Sequence, residues 1–283
     1  MREYMANAVN GKTELASMIP TIWSPMMYQR LRETLVFGNI FSREYEGEIS
    51  SVGDTVKVNQ IGAITSEVLS DDKASFSSQA LSINSFTVVA NKRAVAAVEV
   101  TDMAKLQSIE FQQELQNELT FKVMKDIEDQ IIAALLPSTS SPDHTIAPAA
   151  ASDLAPVDLT TMRALGSRAL WPLQNRYFVC APEYYSDLTN KTQITSFDFT
   201  KVNDSGEAQV NLFAGFRIME SNVLAADVGY ACHPSALQLV LQRGVTVKAS
   251  DLHSQNKFGM LISADVIFGL SLFDNKRIIQ ISG

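Results

Sequence analysis

Three histidines, two cysteines and a few clusters of charged side chains are the groups in this chain that could do chemistry. His144, His233 and His253 lie far apart and share no metal-ligand spacing, so no metal site is expected. His233 stands just before Pro234 and reads as a capping or turn residue. His144 falls in a connector and is expected to be solvated. His233, Asp227 and Cys180 can be drawn together as a thiol site, but nothing in their spacing supports it. Cys180 and Cys232 read instead as small buried apolar residues. The chain contains no HExxH, no GxSxG, no P-loop and no GxGxxG. No catalytic residue and no cofactor is therefore expected.

The remaining candidates are ionic. Glu110, Glu114, Glu118, Lys122 and Asp126 recur every fourth residue and form a charged ridge on a helix. The glutamates suit the N-terminal end of the helix dipole, and Glu118 with Lys122 is a favourable pair. The ridge reads as a solvated face or as a surface that meets a basic patch on a neighbour. Asp71, Asp72 and Lys73 read as a solubilising tip or as salt-bridge partners of another molecule.

The element carrying the ridge dominates the chain. Phe111, Leu115, Leu119, Val123, Ile127, Ile131 and Leu135 are four residues apart, which is a helical period. With Ser108 as cap and Pro137 as stop, a helix over 108–136 would be about 43 Å long. The four-residue spacing over-rotates by about 40° per step, so the stripe winds round the rod. Met124, Ile132 and Leu136 add a second row, so the C-terminal half is expected to be more fully buried.

Composition sets limits on function. The 283 residues carry a net charge of −8, which argues against tight nucleic-acid binding. There is no apolar signal core at the N-terminus and no run long enough to span a membrane; the most apolar C-terminal stretch is broken by Asp265.

In chain order, 1–22 reads as an arm, and Ser24–Pro25 opens a short helix through Trp23, Met26, Met27, Leu31 and Leu35, ending near Gly38. Period-two alternation then predicts two long strands, 54–68 and 79–100, joined by the tip 69–78. The first would be about 50 Å long. A two-stranded ribbon is marginal alone in water, so it either lies on another subunit or completes a local sheet. Residues 137–157 form a Pro-, Ser- and Ala-rich connector. Asp158 is expected to cap a helix to Leu170. A strand is expected at 176–181, a helix opens at Pro182 with Tyr185 and Leu188 on one side, and 191–210 is a polar loop. Residues 215–224 form a strand and turn. Pro234 is expected to open a third helix (Ala236, Leu237, Val240, Leu241) stopped by Gly244, followed by a strand at 245–249. The lack of regular βαβ alternation points to an α+β fold.

The ordered set of elements resembles a known family. The short N-terminal helix, NIFSREYEGEISSVGDTVKV (39–58), the ribbon, AVAAVEVTDMAKLQS (94–108) and MKDIEDQIIAAL (124–135) are similar to tailed-bacteriophage major capsid proteins with the HK97-type fold. The likeness rests on the Tyr45-Glu46-Gly47 turn, the Gly53-Asp54-Thr55-Val56 strand start, the Thr101-Asp102 lead-in, and Asp126 and Asp129. GFRIMESNVL (215–224), GYACHPSALQLV (229–240) and 257–282 extend it, over roughly 20–283 in all.

The resemblance implies an HK97-like capsid fold in four parts. These are an N-terminal arm and short helix (1–46), an extended β-ribbon loop (47–100), a peripheral domain with its spine helix (101–150 and 250–283), and an axial domain (151–249). It implies self-assembly into pentamers and hexamers of an icosahedral head around double-stranded DNA that the coat does not grip. Inter-subunit contacts are expected at Asp71, Asp72, Lys73, Phe76, Trp23, Glu110 and Glu114. Some relatives cross-link through a lysine on the ribbon loop and an asparagine; Lys73 is placed for that, but no partner is matched and no covalent bond is expected. Many relatives carry a long charged N-terminal scaffold segment. Residues 1–46 are not strongly charged, so a separate scaffolding protein is expected. The other expected partners are a portal and a candidate decoration protein, with no membrane. The protein would reside in the virion capsid, and in the host cytoplasm during assembly. Two other readings stay open: an encapsulin-type nanocompartment shell, and an intracellular α+β enzyme.

Overall fold

A computed structural model describes residues 32–33, 35–45, 55–68, 78–102, 112–136, 144–150, 152–191, 201–202, 208–209 and 212–283. The helix opening at Ser24–Pro25, the Ser108 cap, the ribbon tip 69–77 and most of the 191–210 loop lie outside these residues.

The long helix is present as α2 (Gln112–Leu135), following a one-turn helix α1 (Phe37–Ile40). Its stripe is the axis of the larger core: Leu119, Val123, Ile127, Ile131 and Leu135 are each at most 4% exposed. Full burial of such a side chain contributes about 1.5–3 kcal/mol. Met124 and Ile132 pack partly buried against that core, whereas Leu136 stands 39% exposed past the helix end. The helix expected to run through Leu35 to Gly38 does not do so: residues 35–36 are not helical, and Gly38 lies inside α1.

The ribbon is shorter than the alternation suggests. It pairs β1 (Thr55–Ile61) with β2 (Ile83–Val89) in antiparallel register. Seven residues give about 23 Å. Beyond Ile61 the alternation continues, but Ile64 and Val68 are 73% and 95% exposed. No buried face pins the register there, and pairing lapses after one further bond, Gly62 N–H to the Ser82 carbonyl at 2.8 Å.

The expected strand 79–100 is also divided. After a break at 90–91 the chain continues as β3 (Lys92–Thr101), which leaves the ribbon and pairs with a late strand. Gly269 explains the break. A Cβ there would lie 2.1 Å from the Val89 carbonyl oxygen and 2.9 Å from Ala90 Cα. The bend therefore sits directly on a glycine backbone.

The six-stranded sheet has the order β4–β13–β10–β5–β9–β8, using β4 (Thr145–Ile146), β5 (Arg176–Cys180), β8 (Leu212–Phe213), β9 (Phe216–Glu220), β10 (Val228–Cys232) and β13 (Ile278–Ser282). Lys201–Val202 (β6) and Ala208–Gln209 (β7) pair apart from it. The central strands β5, β10 and β13 are buried on both faces and read as apolar runs, whereas β9 alternates between buried and exposed residues. Phe178, Cys180, Ala231 and Ile281 pack with helices α3 (Pro156–Arg168) and α4 (Pro182–Asn190). Val179, Tyr230, Cys232 and Ile278 turn the other way, toward the spine core.

Asp158 is the third residue of α3, not its cap. Its carboxylate reaches back to the Ala155 N–H at 2.9 Å and to the Ala149 N–H at 3.0 Å. On α4, Tyr184 rather than Tyr185 is fully buried beside Leu188.

The third helix expected after Pro234 is absent. One 3-10 turn (Pro234–Ala236) leads into a long strand, β11 (Leu237–Asp251), which pairs with β12 (Gly259–Leu272). Leu237, Gln238, Leu239 and Val240 are all buried because both faces are covered: Leu237 and Leu239 by the spine core, and Val240 by Val88 and Ala90. A strand buried on both faces has no alternation to distinguish it from a helix. The sheet β11–β12–β3 packs on α2. Strand pairing thus crosses the boundaries drawn at 150 and 249: β11 joins the spine layer, and β4 and β13 join the six-stranded sheet.

Candidate assembly interface

The ribbon has two unlike faces. On one, Val56, Val58, Phe86 and Val88 share a side; Val88 is fully buried, and the Phe86 ring stacks on Phe273 with centroids 5.2 Å apart. On the other, Ile61 and Ile83 lie directly opposite each other, 65% and 60% exposed. Leu81, at 61%, and Ile64 are exposed beyond the paired segment. Exposed apolar side chains paired across a ribbon mark a candidate interaction site. The Ser271 hydroxyl donates to the Thr87 carbonyl at 3.0 Å and helps seat the ribbon's foot on β12.

A strap of polar contacts ties the arm to the spine helix. Arg32 donates to Glu114 at 3.3 Å and to Glu118 at 3.2 Å. Lys125 donates to Glu33 at 2.6 Å, and that hydrogen bond holds the Glu33 carboxyl below the usual range. Glu128, 2% exposed, accepts the backbone N–H groups of Val36, Phe37 and Gly38. The ridge is therefore not a bare solvated face in the part described, because Glu114 and Glu118 meet the chain's own arm. Of the expected contact residues, Glu114 is placed there; Trp23, Asp71, Asp72, Lys73, Phe76 and Glu110 lie outside the described residues.

Sequence reasoning did not single out Glu128 or assign a role to Asp265. Glu128 lies on the buried side of α2, three residues before Ile131 and seven before Leu135, and that spacing was the available signal. Asp265 announces itself by interrupting an apolar run. Its side chain, 7% exposed, accepts from Arg93 on β3 at 2.9 Å and from Arg243 on β11, joining all three strands of the spine sheet. The Arg93 hydrogen bond, with the positive charge of Arg243, lowers its pKa.

The groups considered for chemistry have structural roles. His233 caps the 3-10 turn: its Nδ1 lies 2.7 Å from the Ser235 hydroxyl and accepts the Ser235 N–H at 3.3 Å. Burial, then the charges of Arg277 and Arg176, lowers its pKa. Burial pushes the Cys180 and Cys232 thiols up to about 12. His144, expected in solvent, is 8% exposed because the connector ends against the six-stranded sheet at β4. Among the described residues no group of three or more His, Cys, Asp or Glu side chains could hold a metal ion, and no helix is long and apolar enough to cross a membrane.

Comparison with known proteins agrees with this geometry. A family model described as phage capsid protein matches residues 46–282. No curated protein sequence matches the chain. A structure from Mycobacterium phage Che8 superposes with a TM-score of 0.75 at 25% identity, covering 93% of this chain and 96% of that one. The capsid of cyanophage P-SCSP1u also gives 0.75, at 14% identity with 99% of each chain covered. The capsid of a native GTA particle gives 0.65 at 15% identity, covering 98% and 99%. The last two share the fold alone.

Proposed function

The chain belongs to the phage capsid protein family, and from that premise we propose that it is the major capsid protein whose copies close into the pentamers and hexamers of an icosahedral head. The observation that carries this reading is the exposed Ile61–Ile83 pair on a ribbon whose foot is seated on β12 through Ser271 and Thr87. A two-stranded ribbon with apolar side chains in water is marginal by itself and is stabilised when a neighbouring copy covers it. Closed symmetry multiplies that modest contact over every subunit.

The division of labour follows strand pairing. Residues 92–136 and 237–272 form a peripheral layer around the spine helix; 144–232 and 278–283 form an axial unit; 47–91 is the ribbon and 1–46 the arm. The further partners are a portal and a separate scaffolding protein, with a decoration protein as a candidate third. Assembly takes place in the host cytoplasm. A net charge of −8 suits a coat that encloses double-stranded DNA without binding it tightly. Negative-stain electron microscopy and size-exclusion chromatography of the chain, alone and co-expressed with neighbouring genes, test this. Shells, tubes or rings are expected. Deleting residues 66–80 is expected to abolish them and leave a folded subunit; a small species under every condition would overturn the reading.

A further inference from the structure

The sheet β11–β12–β3 has two outer strands, and they are built differently. β11 is broken by two register shifts, between Leu241 and Arg243 and between Arg243 and Thr246, and Ser42 bridges its start at Gln238. Bulges of this kind blunt an edge against further pairing. β3 has no such protection. It pairs with β12 without a shift, from Thr101 opposite Gly259 to Lys92 opposite Phe268. Among the described residues no strand lies on its other side. It holds no proline, and its centre reads Ala94-Val95-Ala96-Ala97-Val98. A long, regular edge of small and β-branched residues is a template for pairing with another chain.

Alternate residues of β3 face opposite ways. Arg93, Val95, Ala97 and Glu99 point away from the spine helix and are all exposed. Arg93 shares the Asp265 carboxylate with Arg243, so two guanidiniums meet one carboxylate and the cluster carries surplus positive charge. Glu99 stands at the other end of the strand, paired with Lys257 in solvent, the two side chains 47% and 54% exposed. On the spine side Ala94 is buried, Ala96 is partly buried, and Val98 is 38% exposed. Beside Ala94 runs a groove of about 570 Å³, lined also by Lys92, Phe268 and, on the spine helix, Asp126 and Asp129.

We infer that this edge is a two-fold contact: β3 of one copy pairs antiparallel with β3 of a second copy, centred on Ala96. The strand's own charges commit it to a second copy. A two-fold axis perpendicular to the sheet keeps both spine helices on one face, so odd-numbered residues stand opposite odd-numbered ones. The register centred on Ala96 sets Arg93 opposite the second copy's Glu99 at both ends, Val95 opposite Ala97, and Ala94 opposite Val98. Opposite charges directly across a ladder are favourable. The second copy's Glu99 brings a second carboxylate to the arginine pair, and its Val98 enters the groove beside the small Ala94. A centre one residue earlier or later sets Arg93 opposite Ala97 or Thr101 and loses both charge pairs. The inference rests on the shell reading above and adds the residues, register and symmetry of one contact within it.

Single cysteines test it on the full-length chain, whose own Cys180 and Cys232 are buried. Ala96→Cys puts each thiol directly opposite the same residue of the second copy. Opposed antiparallel residues have Cα atoms about 4.5–5.5 Å apart, which a disulfide spans. Oxidised particles are expected to give covalent dimers on non-reducing gels and nothing larger. Val95→Cys is more exposed, but its two thiols stand on a diagonal about 7–8 Å apart and should stay unlinked. A second measurement adds Glu99→Arg to Ala96→Cys. Like charges then face each other at both ends, and the dimer yield should fall by about tenfold. Glu99 is exposed, so the thermal midpoint of the subunit should barely move, which separates pairing from folding. Equal linking by the two cysteine variants, or particles without Ala96→Cys dimers, would overturn this contact and leave the shell reading intact. A small species that still gives the dimer would keep the contact and overturn the shell. A chain that forms neither particles nor dimers would sink both.

Discussion

Glu128 on the spine helix accepts the backbone N–H of Phe37 at 2.7 Å, and the same carboxylate accepts those of Val36 at 2.6 Å and Gly38 at 3.0 Å. One buried side chain thus satisfies three donors at the start of α1 and ties the arm to the spine. Glu128→Ala leaves those donors without an acceptor and is expected to lower the unfolding free energy by about 2–4 kcal/mol. Glu128→Gln should cost less, since one oxygen remains to accept. Urea unfolding measures both, and equal midpoints for all three proteins would show that the arm is held by its apolar residues alone.

Gly269 sets where the ribbon leaves the body. The added methyl of Gly269→Ala would meet the backbone of Val89 and Ala90, which cannot yield as a side-chain tip could. A loss of about 1–3 kcal/mol is expected, as for an overpacked core site. The displaced joint should also alter the ribbon's exit angle, so electron microscopy should show misshapen or open particles. Regular shells from this variant would mean that the bend is not critical.

The parts legible in the sequence were those with one buried face. The spine stripe from Leu119 to Leu135 and the β1–β2 alternation each show one face to the core, and periodicity reports that directly. The strand 237–251 was misread because Leu237 to Val240 are buried on both sides, which removes the period. The break at Ala90 was invisible locally, since its cause is Gly269, far along the chain. The assembly surfaces were legible only in outline. Ile61 and Ile83 look like ordinary strand residues until pairing shows that they stand opposite each other, 65% and 60% exposed. Glu128 and Asp265 are charges among apolar neighbours, and that is a signal of position rather than of partner.

Acid should act in two stages. His233 has a lowered pKa, so the unfolded chain binds its proton first, and stability falls as pH drops below the ordinary histidine value of about 6.5. Asp265 and Glu33 have lowered carboxyl pKa values. Their contribution is complete above the ordinary carboxylate range and is lost as pH falls through the folded values, below about 4. Asp265→Asn should flatten the lower limb of a plot of melting temperature against pH and leave the upper one. An unchanged lower limb would remove Asp265 from the account.

The two thiols should be silent in the native protein. With pKa values near 12 and no exposure, Cys180 and Cys232 present almost no thiolate at pH 8. Iodoacetamide is expected to label neither until denaturant is added, and then both. Rapid native labelling of Cys180 would instead point to an opening between β5 and β9.

The apolar pair on the ribbon is the most direct probe of assembly. Ile61 and Ile83 face each other across the ladder with most of their surface in water. Ile61→Asp therefore removes little from the isolated subunit, about 1 kcal/mol or less. In a shell the same position would put a carboxylate under a neighbouring copy, where an unpaired charge is costly. Particle yield should fall by about tenfold or more while the melting temperature of the subunit barely moves, because each shell repeats the defect at every ribbon. Ile61→Val, which keeps the apolar character, should assemble normally. Full yields from the aspartate variant would mean that this face stays in solvent in the shell and that the ribbon binds its neighbours some other way.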